Sequence, residues 1–404
     1  MNKQVYMDYS ATTYTKPEVL EEMLPFFTEN FGNPSSLYSF SDKTKKAVNL
    51  ARERVSKALN AEKNEIFFTS GGSEADNWAL KGIAYANKKK GNHIITTKIE
   101  HHAILHTAQF LEKEGFKVTY LPVDEEGFVS VEDIKNAITD ETILVSVMFA
   151  NNEVGTIEPI KEIGELCKEK NIYFHTDAVQ AIGHVDIDVK DMNIDLLSMS
   201  AHKFYGPKGV GALYIKNGVK IQNLIHGGGQ ERGKRASTED TAGIVGLGKA
   251  IELAIENMPE ENEKLSNLRG RLIRGIEARI PEVKLNGPKD MSRRLPNNVN
   301  FSFIGIEGET LLLDLDMNGI FGSTGSACAS ASLDPSHVLL SIGLPHETAH
   351  GSLRLSLGAK NTEEDIDYVL EVLPKIIKTK KRNVTTLGRL YEKQGGKIIC
   401  IQKR

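Results

Sequence analysis

The chain has 404 residues, of which 40% are apolar, and this is enough for two or three domains with sizeable cores. Its 50 basic and 54 acidic residues give a formal net charge of −4, so no charge excess points to nucleic acid or to a strongly acidic partner. The sequence has no run of about 18 apolar residues and no signal-peptide pattern, which makes the cytoplasm the expected compartment and a membrane partner unexpected.

Extended apolar segments alternate with helical patterns along the first part of the chain. Seven such segments are predicted strands: 65–69, 93–97, 117–121, 142–149, 172–175, 195–199 and 211–215. Helical patterns lie between most of them, as at 47–59 and 73–87. This alternation predicts an α/β fold with a mainly parallel, seven-stranded sheet that helices cover on both faces. Binding residues are then expected at the carboxyl ends of the strands.

A second region is predicted beyond residue 241. A helical stretch from about 241 through 268 and beyond leads to strands at 298–303 and 352–356 and to helices at 308–315 and from 362 to about 377. We therefore predict a large domain over 14–258 and a smaller α/β domain made of 1–13 and 259–404. Residues 375–404 carry ten Lys or Arg and a single acid, Glu392, with a short apolar run at 398–401. A solvated tail is the favoured interpretation, and partner docking is the alternative.

In chain order, the first segment with chemical character follows the predicted strand at 65–69. Gly71, Gly72 and Ser73 stand between this strand and a helical pattern. Free backbone N–H groups and the helix dipole at such a junction bind anions, and a cofactor phosphate is the ligand expected here. The spacing matches neither a Walker A loop nor GxGxxG, which argues against a nucleotide.

A carboxylate and an amide follow the apolar run at 172–175. Asp177 comes first, and Gln180 lies three residues later. A pyridoxal ring needs an anion beside its pyridine nitrogen, because protonation of that nitrogen makes the ring an electron sink. Asp177 fits this role, and Gln180 could donate to the phenolic oxygen of the ring. An isolated aspartate at a strand end more often caps a helix, so the signal depends on its neighbours.

Lys203 follows a short apolar strand and precedes a glycine-rich turn. A lysine at such a strand end can form a Schiff base with an aldehyde cofactor if burial and neighbours keep the amine reactive. An isolated lysine would be interpreted as a surface residue in a glycine turn. The order of phosphate-binding turn, aspartate and lysine overturns that interpretation and predicts a pyridoxal-phosphate site.

The three cysteines, Cys167, Cys328 and Cys400, share no metal-type spacing, and no disulfide framework is expected. Cys167 lies in a helical pattern and is predicted to be buried in the core. Cys328 lies among small residues with little packing value, which is typical of a mobile loop, and an incidental surface thiol is the alternative. The adjacent His101 and His102 have no further ligand at a suitable spacing, so no metal site is predicted.

Characteristic segments run from about residue 6 to about residue 375. They lie at 7–13, 31–36, 100–103, 151–156, 200–203, 227–232, 325–328 and 351–358. With these segments the chain resembles the NifS/IscS-type cysteine desulfurases, which are pyridoxal-phosphate enzymes of fold type I in the class V aminotransferase family. The resemblance implies that L-cysteine is converted to L-alanine and that the sulfur is kept on Cys328 as a persulfide.

The resemblance also implies roles for individual residues. Lys203 would hold the cofactor and then act as a base, Cys328 would attack the substrate sulfur, and His101 would lie over the ring and move protons. Arg354 would clamp the substrate carboxylate, and Asn33 and Asn152 would contact substrate or cofactor. The implied cofactor-binding residues are Gly72, Ser73, His101, Asn152, Asp177, Gln180, Ser200, His202, Lys203 and Thr238.

Thr238 matches a position at which the family binds the phosphate of the neighbouring subunit, which implies a homodimer. The implied partners are sulfur acceptors, either an iron–sulfur scaffold or a tRNA-thiolation enzyme, with no direct contact to nucleic acid. The chain departs from the usual family residues at four positions, namely Tyr38, Ser41, Ser237 and Asp240.

Two other functions remain open. One is a selenocysteine lyase or another fold-type I enzyme such as an aminotransferase-like protein; an aminotransferase has no need of Cys328, and selenide release could proceed without it. The other is an inactive cofactor-binding platform for sulfur-transfer partners. An inactive copy could have lost any of the catalytic set, yet the set is intact: Lys203, Asp177, His101, Cys328 and Arg354.

Overall fold

The computed structural model describes residues 3–324 and 335–393. The strands are β1 (Val5–Tyr6), β2 (Ile66–Thr69), β3 (His93–Thr97), β4 (Lys117–Leu121), β5 (Thr142–Ser146), β6 (Tyr173–Asp177), β7 (Leu196–Ser200), β8 (Gly211–Ile215), β9 (Val283–Leu285), β10 (Asn298–Phe303), β11 (Ile320–Phe321) and β12 (Ser352–Ser356). The α-helices are α1 (Pro17–Met23), α2 (Pro25–Thr28), α3 (Asp42–Ala58), α4 (Gly72–Asn87), α5 (His102–Lys113), α6 (Val131–Ala137), α7 (Ile160–Glu169), α8 (Thr241–Glu256), α9 (Met258–Arg279), α10 (Gly308–Met317), α11 (His337–Ser341), α12 (His346–His350) and α13 (Glu363–Lys393).

A seven-stranded sheet with the order β2-β8-β7-β6-β5-β3-β4 forms the centre of the molecule. Its strands are parallel except β8, which runs antiparallel to both of its neighbours. Consecutive residues point to opposite faces, so Leu196 packs beneath α4 whereas Leu197 packs on the side of α3 and α8. The predicted mainly parallel, seven-stranded α/β fold is confirmed.

The predicted strand limits hold at 93–97, 117–121 and 211–215 and differ slightly elsewhere. β5 ends at Ser146, although residues 147–149 continue beside β6 by hydrogen bonds to its carbonyl groups. β6 begins and ends later than predicted, so that Asp177 is its last residue. Helix α3 begins at Asp42, five residues before the predicted start at 47. The prediction missed these residues because the first turn is polar and shows no periodic pattern of apolar residues.

The long helix predicted from residue 241 is two helices, α8 and α9, which meet at Asn257. Pro259 lies in the first turn of α9, where its missing N–H prevents α8 from continuing but suits the start of a new helix. The helix predicted at 362–377 begins at Glu363 and extends to Lys393.

A second core surrounds the three-stranded antiparallel sheet β12-β10-β9. Helices α9, α10 and α13 pack on it, and Val5 and Met7 of the N-terminal segment belong to the same cluster. β1 pairs in parallel with β11, with Val5 opposite Ile320. This arrangement supports the predicted division into 14–258 and 1–13 plus 259–404, which stays a prediction.

Within the described ranges, no helix is both long enough and apolar enough to cross a membrane. Cys167 is buried in α7, as its helical pattern predicted. Cys328, Cys400 and the apolar run at 398–401 lie outside the described residues.

Candidate active site

A cavity of about 240 Å³ lies at the carboxyl ends of β6 and β7. Its lining residues are Ser10, Ala11, Gly72, Ser73, Asp76, His101, Met148, Ala150, Asn152, Asp177, Val179, Gln180, Ser200, His202, Lys203 and Arg354. The fold therefore brings together every predicted cofactor-binding residue except Thr238, and it adds Arg354. This is the edge of the sheet at which an α/β fold is expected to bind its ligand.

The N-terminus of α4 forms one wall of this cavity. A Cβ atom on Gly72 would lie 2.8 Å from Cγ2 of Val179, so a glycine is needed for the helix to approach this closely. Ser73 follows in the first turn, and Ser200 at the end of β7 faces the same space. The backbone dipole and the hydroxyl groups make this wall a suitable cradle for a phosphate.

Asp177 lies at the floor of the cavity with only 5% of its surface exposed. Its Oδ1 accepts a hydrogen bond of 2.9 Å from the N–H of Val179. Burial raises the pKa of Asp177 to about 6, although this N–H and the Lys203 ammonium act in the opposite direction. Burial also raises the pKa of the neighbouring Asp76, whose Oδ1 has no hydrogen-bond partner among the described residues. Two buried carboxyl groups favour a cationic ring N–H in this space, so the site fits a pyridinium.

Lys203 ends a short 3₁₀ turn, Ala201–Lys203, that follows β7 directly. Its Nζ donates hydrogen bonds to the carbonyl oxygens of Ser10 and Ala11, the second at 3.0 Å. Nε2 of Gln180 donates to the same Ser10 carbonyl at 2.9 Å. The N-terminal segment thus holds the amine inside the cavity, next to the groups predicted to contact a cofactor.

His101 lies beside the cavity at the start of α5, where its Nδ1 accepts a hydrogen bond of 3.1 Å from the N–H of Ala103. Burial lowers the pKa of His101 to about 4, and the nearby Lys203 charge contributes to this. The imidazole is therefore neutral at pH 7, with its proton on Nε2. A neutral imidazole can donate a proton from Nε2 and take one back.

The neighbouring histidines pack against one another. The ring centroid of His102 lies 4.9 Å from that of His106 and 4.8 Å from that of His337. Burial lowers the pKa of His102 and of His337, so the stacked rings avoid charge repulsion near neutral pH. In the part of the chain that the structure describes, no group of three or more His, Cys, Asp or Glu residues is arranged to hold a metal ion.

Arg354 enters the cavity from β12 although only 1% of its surface is exposed. Its Nη2 contacts Oδ1 of Asp8 at 2.8 Å, and its Nη1 donates to the carbonyl oxygen of Asn152 at 3.1 Å. Its Nε has no hydrogen-bond partner among residues 3–324 and 335–393. A buried guanidinium that still has an N–H to donate suits the carboxylate of an amino acid.

Two predicted site residues lie outside this cavity. Thr238 is exposed and lines a separate cavity that includes Ser70 and Arg235. Asn33 is also exposed, and its Oδ1 accepts a hydrogen bond of 2.9 Å from the N–H of Ser35. Within one chain, neither residue reaches the space around Lys203.

Both described flanks of the segment that contains Cys328 lie near the cavity. On one side, Ser323 is hydrogen-bonded to the backbone of Arg354. On the other side, Nε2 of His337 is 3.0 Å from the carbonyl oxygen of Glu100, the residue before His101. Cys328 itself lies outside the described residues, and its predicted role stays a prediction.

Several residues that line the cavity or bind its charged side chains were not predicted from the sequence. Ser10 and Ala11 take part through backbone carbonyl groups, which carry no residue-specific signal. Asp8 lies in the segment 7–13 that carries part of the family resemblance, and Asp76 follows Ser73 by three residues on a predicted helix, which places both on one face. These two carboxylates could have been found from their positions.

Comparison with known proteins gives consistent matches. The family model for aminotransferase class-V matches residues 5–369. A Clostridium botulinum (strain Kyoto / Type A2) protein named cysteine desulfurase IscS is 97% identical over 393 residues, which cover 97% of this chain and 99% of that protein.

Two solved structures are also similar. One, described as a NifS-like protein, has a TM-score of 0.88 and 41% identity and covers 93% of this chain and 100% of its own. The other, described as SspA in complex with cysteine, has a TM-score of 0.79 and 39% identity and covers 88% of this chain and 99% of its own. The resemblance noted in the sequence is thereby confirmed, and the chain belongs to the class-V aminotransferase family and, within it, to the cysteine desulfurases of the IscS type.

Proposed function

We propose that this protein is a pyridoxal-phosphate-dependent cysteine desulfurase that converts L-cysteine to L-alanine and keeps the sulfur as a persulfide on Cys328. The observation that carries the proposal is that Lys203, Asp177 and Arg354 meet in one cavity. The similarity to cysteine desulfurases over nearly the whole chain supports the same reaction. The described flanks of the Cys328 segment lie near this cavity, which supports Cys328 as the sulfur acceptor.

The cavity residues would hold the cofactor at three points. The α4 wall with Gly72, Ser73 and Ser200 would bind its phosphate, with His202 nearby. Asp177 would pair with the ring nitrogen, and Lys203 would bind the aldehyde carbon. When bound, pyridoxal phosphate withdraws electrons from the substrate and so weakens its C–S bond.

The protein side chains then have separate tasks. Arg354 would fix the substrate carboxylate, with Asn152 beside it, and this orients the substrate for reaction. Lys203 would remove the proton from the substrate α-carbon, and the neutral His101 would carry a proton between positions above the ring. The thiolate of Cys328 would attack the substrate sulfur. The C–S bond breaks, its electron pair stays on the β-carbon, and that carbon takes up a proton to give alanine.

A homodimer would complete the site. Thr238 is exposed and lies away from the cavity of its own chain, as expected for a residue that binds the phosphate of a neighbour. Among the described residues, exposed large apolar side chains are concentrated between positions 20 and 50: Leu20, Leu24, Phe27, Phe31, Leu37, Tyr38, Phe40 and Leu50. A surface of this kind is typical of a subunit interface. Asn33 lies in the same stretch, so its predicted contact with substrate or cofactor would also be made across the interface.

The persulfide would be passed on to acceptor proteins in the cytoplasm. An iron–sulfur scaffold or a tRNA-thiolation enzyme would be the acceptor, in keeping with the family. The nearly balanced charge of the chain gives no indication of direct contact with nucleic acid.

The test compares the protein with Cys328→Ser and with Cys167→Ser as the matched control. Burial raises the pKa of Cys167 to about 12, so this thiol is unreactive and its replacement should not change the reaction. Alanine and sulfide are measured from L-cysteine with a reductant, and the visible absorbance of the bound cofactor is recorded. We expect alanine production to collapse only in Cys328→Ser while the absorbance is kept. Equal activity in all three proteins would instead favour a lyase, and absence of alanine in all three, even with acceptor proteins added, would favour an inactive platform.

A further inference from the structure

The segment that carries Thr238 is fastened to the rest of its own chain by two paired ionic contacts. We call residues 227–240 the Thr238 segment. Nη1 and Nη2 of Arg52 contact the two carboxylate oxygens of Glu231 at 2.8 and 2.7 Å. Nε and Nη2 of Arg235 contact the two carboxylate oxygens of Glu74 at 2.8 and 2.9 Å. Bidentate pairs of this type fix geometry as well as charge.

The backbone of the Thr238 segment is held in an unfavourable conformation. Glu231, Arg232 and Ser237 have φ values of +46°, +57° and +118°, a region that side chains with a Cβ rarely adopt. Such conformations persist only where surrounding contacts enforce them. The segment therefore depends on its anchors, and Arg235 lies only three residues before Thr238.

The two ionic contacts, Arg52–Glu231 and Arg235–Glu74, are the anchors of the Thr238 segment, and they join it to different parts of the chain. Glu231 is bound to Arg52 of α3 and accepts from the N–H of Phe68 at 3.0 Å, so this anchor joins the segment to the body of the sheet. Glu74 instead lies in the first turn of α4, the wall that would cradle the phosphate. Its Oε2 also accepts from the N–H of Ser70 at 2.7 Å.

Glu74 is a negative charge close to the place where a phosphate would bind. Burial acts to raise its pKa, but the hydrogen bonds from Arg235 and Ser70 outweigh burial and lower it, so the carboxyl group is ionised. An unpaired carboxylate here would repel a phosphate, and the Arg235 guanidinium offsets that charge. Arg235 thus touches the phosphate-binding turn of its own chain and sets the position of the segment beyond it.

We propose that Arg235 is a positioning residue that ties the phosphate-binding turn of one subunit to the Thr238 segment offered to its neighbour. This inference rests on the proposed homodimeric pyridoxal-phosphate function. Binding of a phosphate at the N-terminus of α4 stabilises the first turn of this helix, where Glu74 binds Arg235. Arg235 then stabilises the Thr238 segment, which contacts the cofactor of the neighbouring subunit. Occupation of one site then strengthens binding at the second site.

The first experiment removes the cofactor and titrates it back, with binding followed by visible absorbance. Arg235→Gln is compared with the wild-type protein and with Arg271→Gln, which removes an arginine of similar pairing on the exposed surface of α9. We expect Arg235→Gln to raise the apparent Kd for pyridoxal phosphate about tenfold or more, because charge-assisted bonds are lost. Arg235→Lys should lie in between, and Arg271→Gln should match the wild type. Size-exclusion chromatography and thermal melting establish that each variant is folded and dimeric.

A mixed dimer separates the effect on the neighbour from the effect on the same chain. One subunit carries both Arg235→Gln and Lys203→Ala, and the other is wild type, so only the wild-type subunit can bind the cofactor covalently. The reference dimer has Lys203→Ala alone in the first subunit. We expect weaker cofactor binding in the wild-type subunit of the first dimer than in that of the reference.

Equal affinity in these two mixed dimers would overturn the proposal, and Arg235 would then serve only the helix of its own chain. Equal affinity of Arg235→Gln and wild type in the first experiment would also overturn it, while leaving the proposed function intact. A wild-type protein that is monomeric or fails to bind pyridoxal phosphate would contradict the proposed function itself, and the present inference with it.

Discussion

The charged side chains of the cavity are held mainly by short contacts to the backbone. The ammonium group of Lys203 donates to two carbonyl oxygens of the N-terminal segment, and Asp177 accepts from the N–H of Val179. Arg354 has a carboxylate partner, Asp8, but also donates to a carbonyl oxygen. Groups fixed in this way are oriented before any ligand arrives, so less free energy is spent on ordering them during the reaction.

Replacement of Arg354 by lysine tests its proposed contact with the substrate carboxylate. A lysine cannot supply two parallel N–H donors, so Arg354→Lys should raise KM for L-cysteine about tenfold or more, as expected for the loss of a charge-assisted bond. The measurement is alanine formation over a range of cysteine concentrations. Arg294→Lys is the control, because Arg294 is equally buried but lies away from the cavity. It should lower the melting temperature without changing KM, and a similar KM for both variants would contradict the proposed role.

His101 gives a prediction about pH. Because the pKa of its folded form is lowered to about 4, the folded protein binds the proton less readily than the unfolded chain does. This residue's contribution to the free energy of unfolding is complete above about pH 6.5 and is lost as the pH falls from there to about 4. In NMR spectra of the cofactor-free protein, the His101 ring signals should stay constant from pH 8 to about pH 5.5. The same signals in denaturant should titrate near pH 6.5. A titration near pH 6.5 in the folded protein would contradict the lowered pKa of His101.

Local patterns predicted some residues of the site and could not predict others. Asp177 is the last residue of the buried strand β6, and Lys203 lies three residues after the buried strand β7, so their place at the sheet edge could be predicted from neighbouring residues. Asp8 reaches the site only because it meets Arg354, which is 346 positions away in the chain. Thr238 lies outside the cavity of its own chain, and nothing in its local sequence indicates this. Only the family resemblance suggested that it belongs to a neighbour's site.

At the scale of secondary structure, burial and length explain why some strands were predictable and others were not. β8 is buried along its whole length and is apolar throughout, so its limits could be predicted. β1 and β11 have two residues each, which is too short to give any alternation. The orientation of β8 was also not predicted, because an antiparallel strand with a neighbour on each side is as buried and apolar as a parallel strand in the same position.

Two helical glycines give opposite predictions for the same substitution. A Cβ on Gly248 of α8 would lie 2.5 Å from Cα of Ala51 in α3, and backbone cannot easily move away. Gly248→Ala should therefore lower the free energy of unfolding by about 1–3 kcal/mol. A Cβ on Gly270 of α9 would meet only the flexible end of Arg274, at 3.0 Å. Gly270→Ala should be neutral or raise the free energy by up to about 1 kcal/mol through higher helix propensity. Urea denaturation of both variants measures the difference, and equal effects would contradict the close contact of α3 and α8.

At the scale of the whole molecule, the exposed apolar side chains between positions 20 and 50 predict where the two subunits of the proposed homodimer would meet. The double variant Phe27→Asp with Phe31→Asp should yield monomers, because charged groups at a buried interface lose their hydration. It should also bind pyridoxal phosphate more weakly, since the proposed contact from Thr238 of the neighbour would be missing. Light scattering after size-exclusion chromatography measures the mass.

The matched control for the dimer is Leu313→Asp with Met317→Asp. These side chains are 65% and 78% exposed on α10, outside the stretch from 20 to 50. The control should remain dimeric and bind the cofactor normally. Monomers in both double variants would place the interface elsewhere, and dimers in both would exclude the 20–50 surface.

The contacts of the N-terminal segment also determine the order in which the site can form during synthesis. The N–H of Ser10 donates to Oγ of Ser356 at 2.9 Å, and Asp8 meets Arg354. The N-terminal residues are synthesised first, but they can reach their final position only after β12, the last strand among the described residues, has been synthesised. Until then Lys203 lacks the carbonyl groups that hold its amine. The growing chain can form most of its central sheet, but it cannot present a finished cofactor site to free pyridoxal phosphate before β12 has emerged.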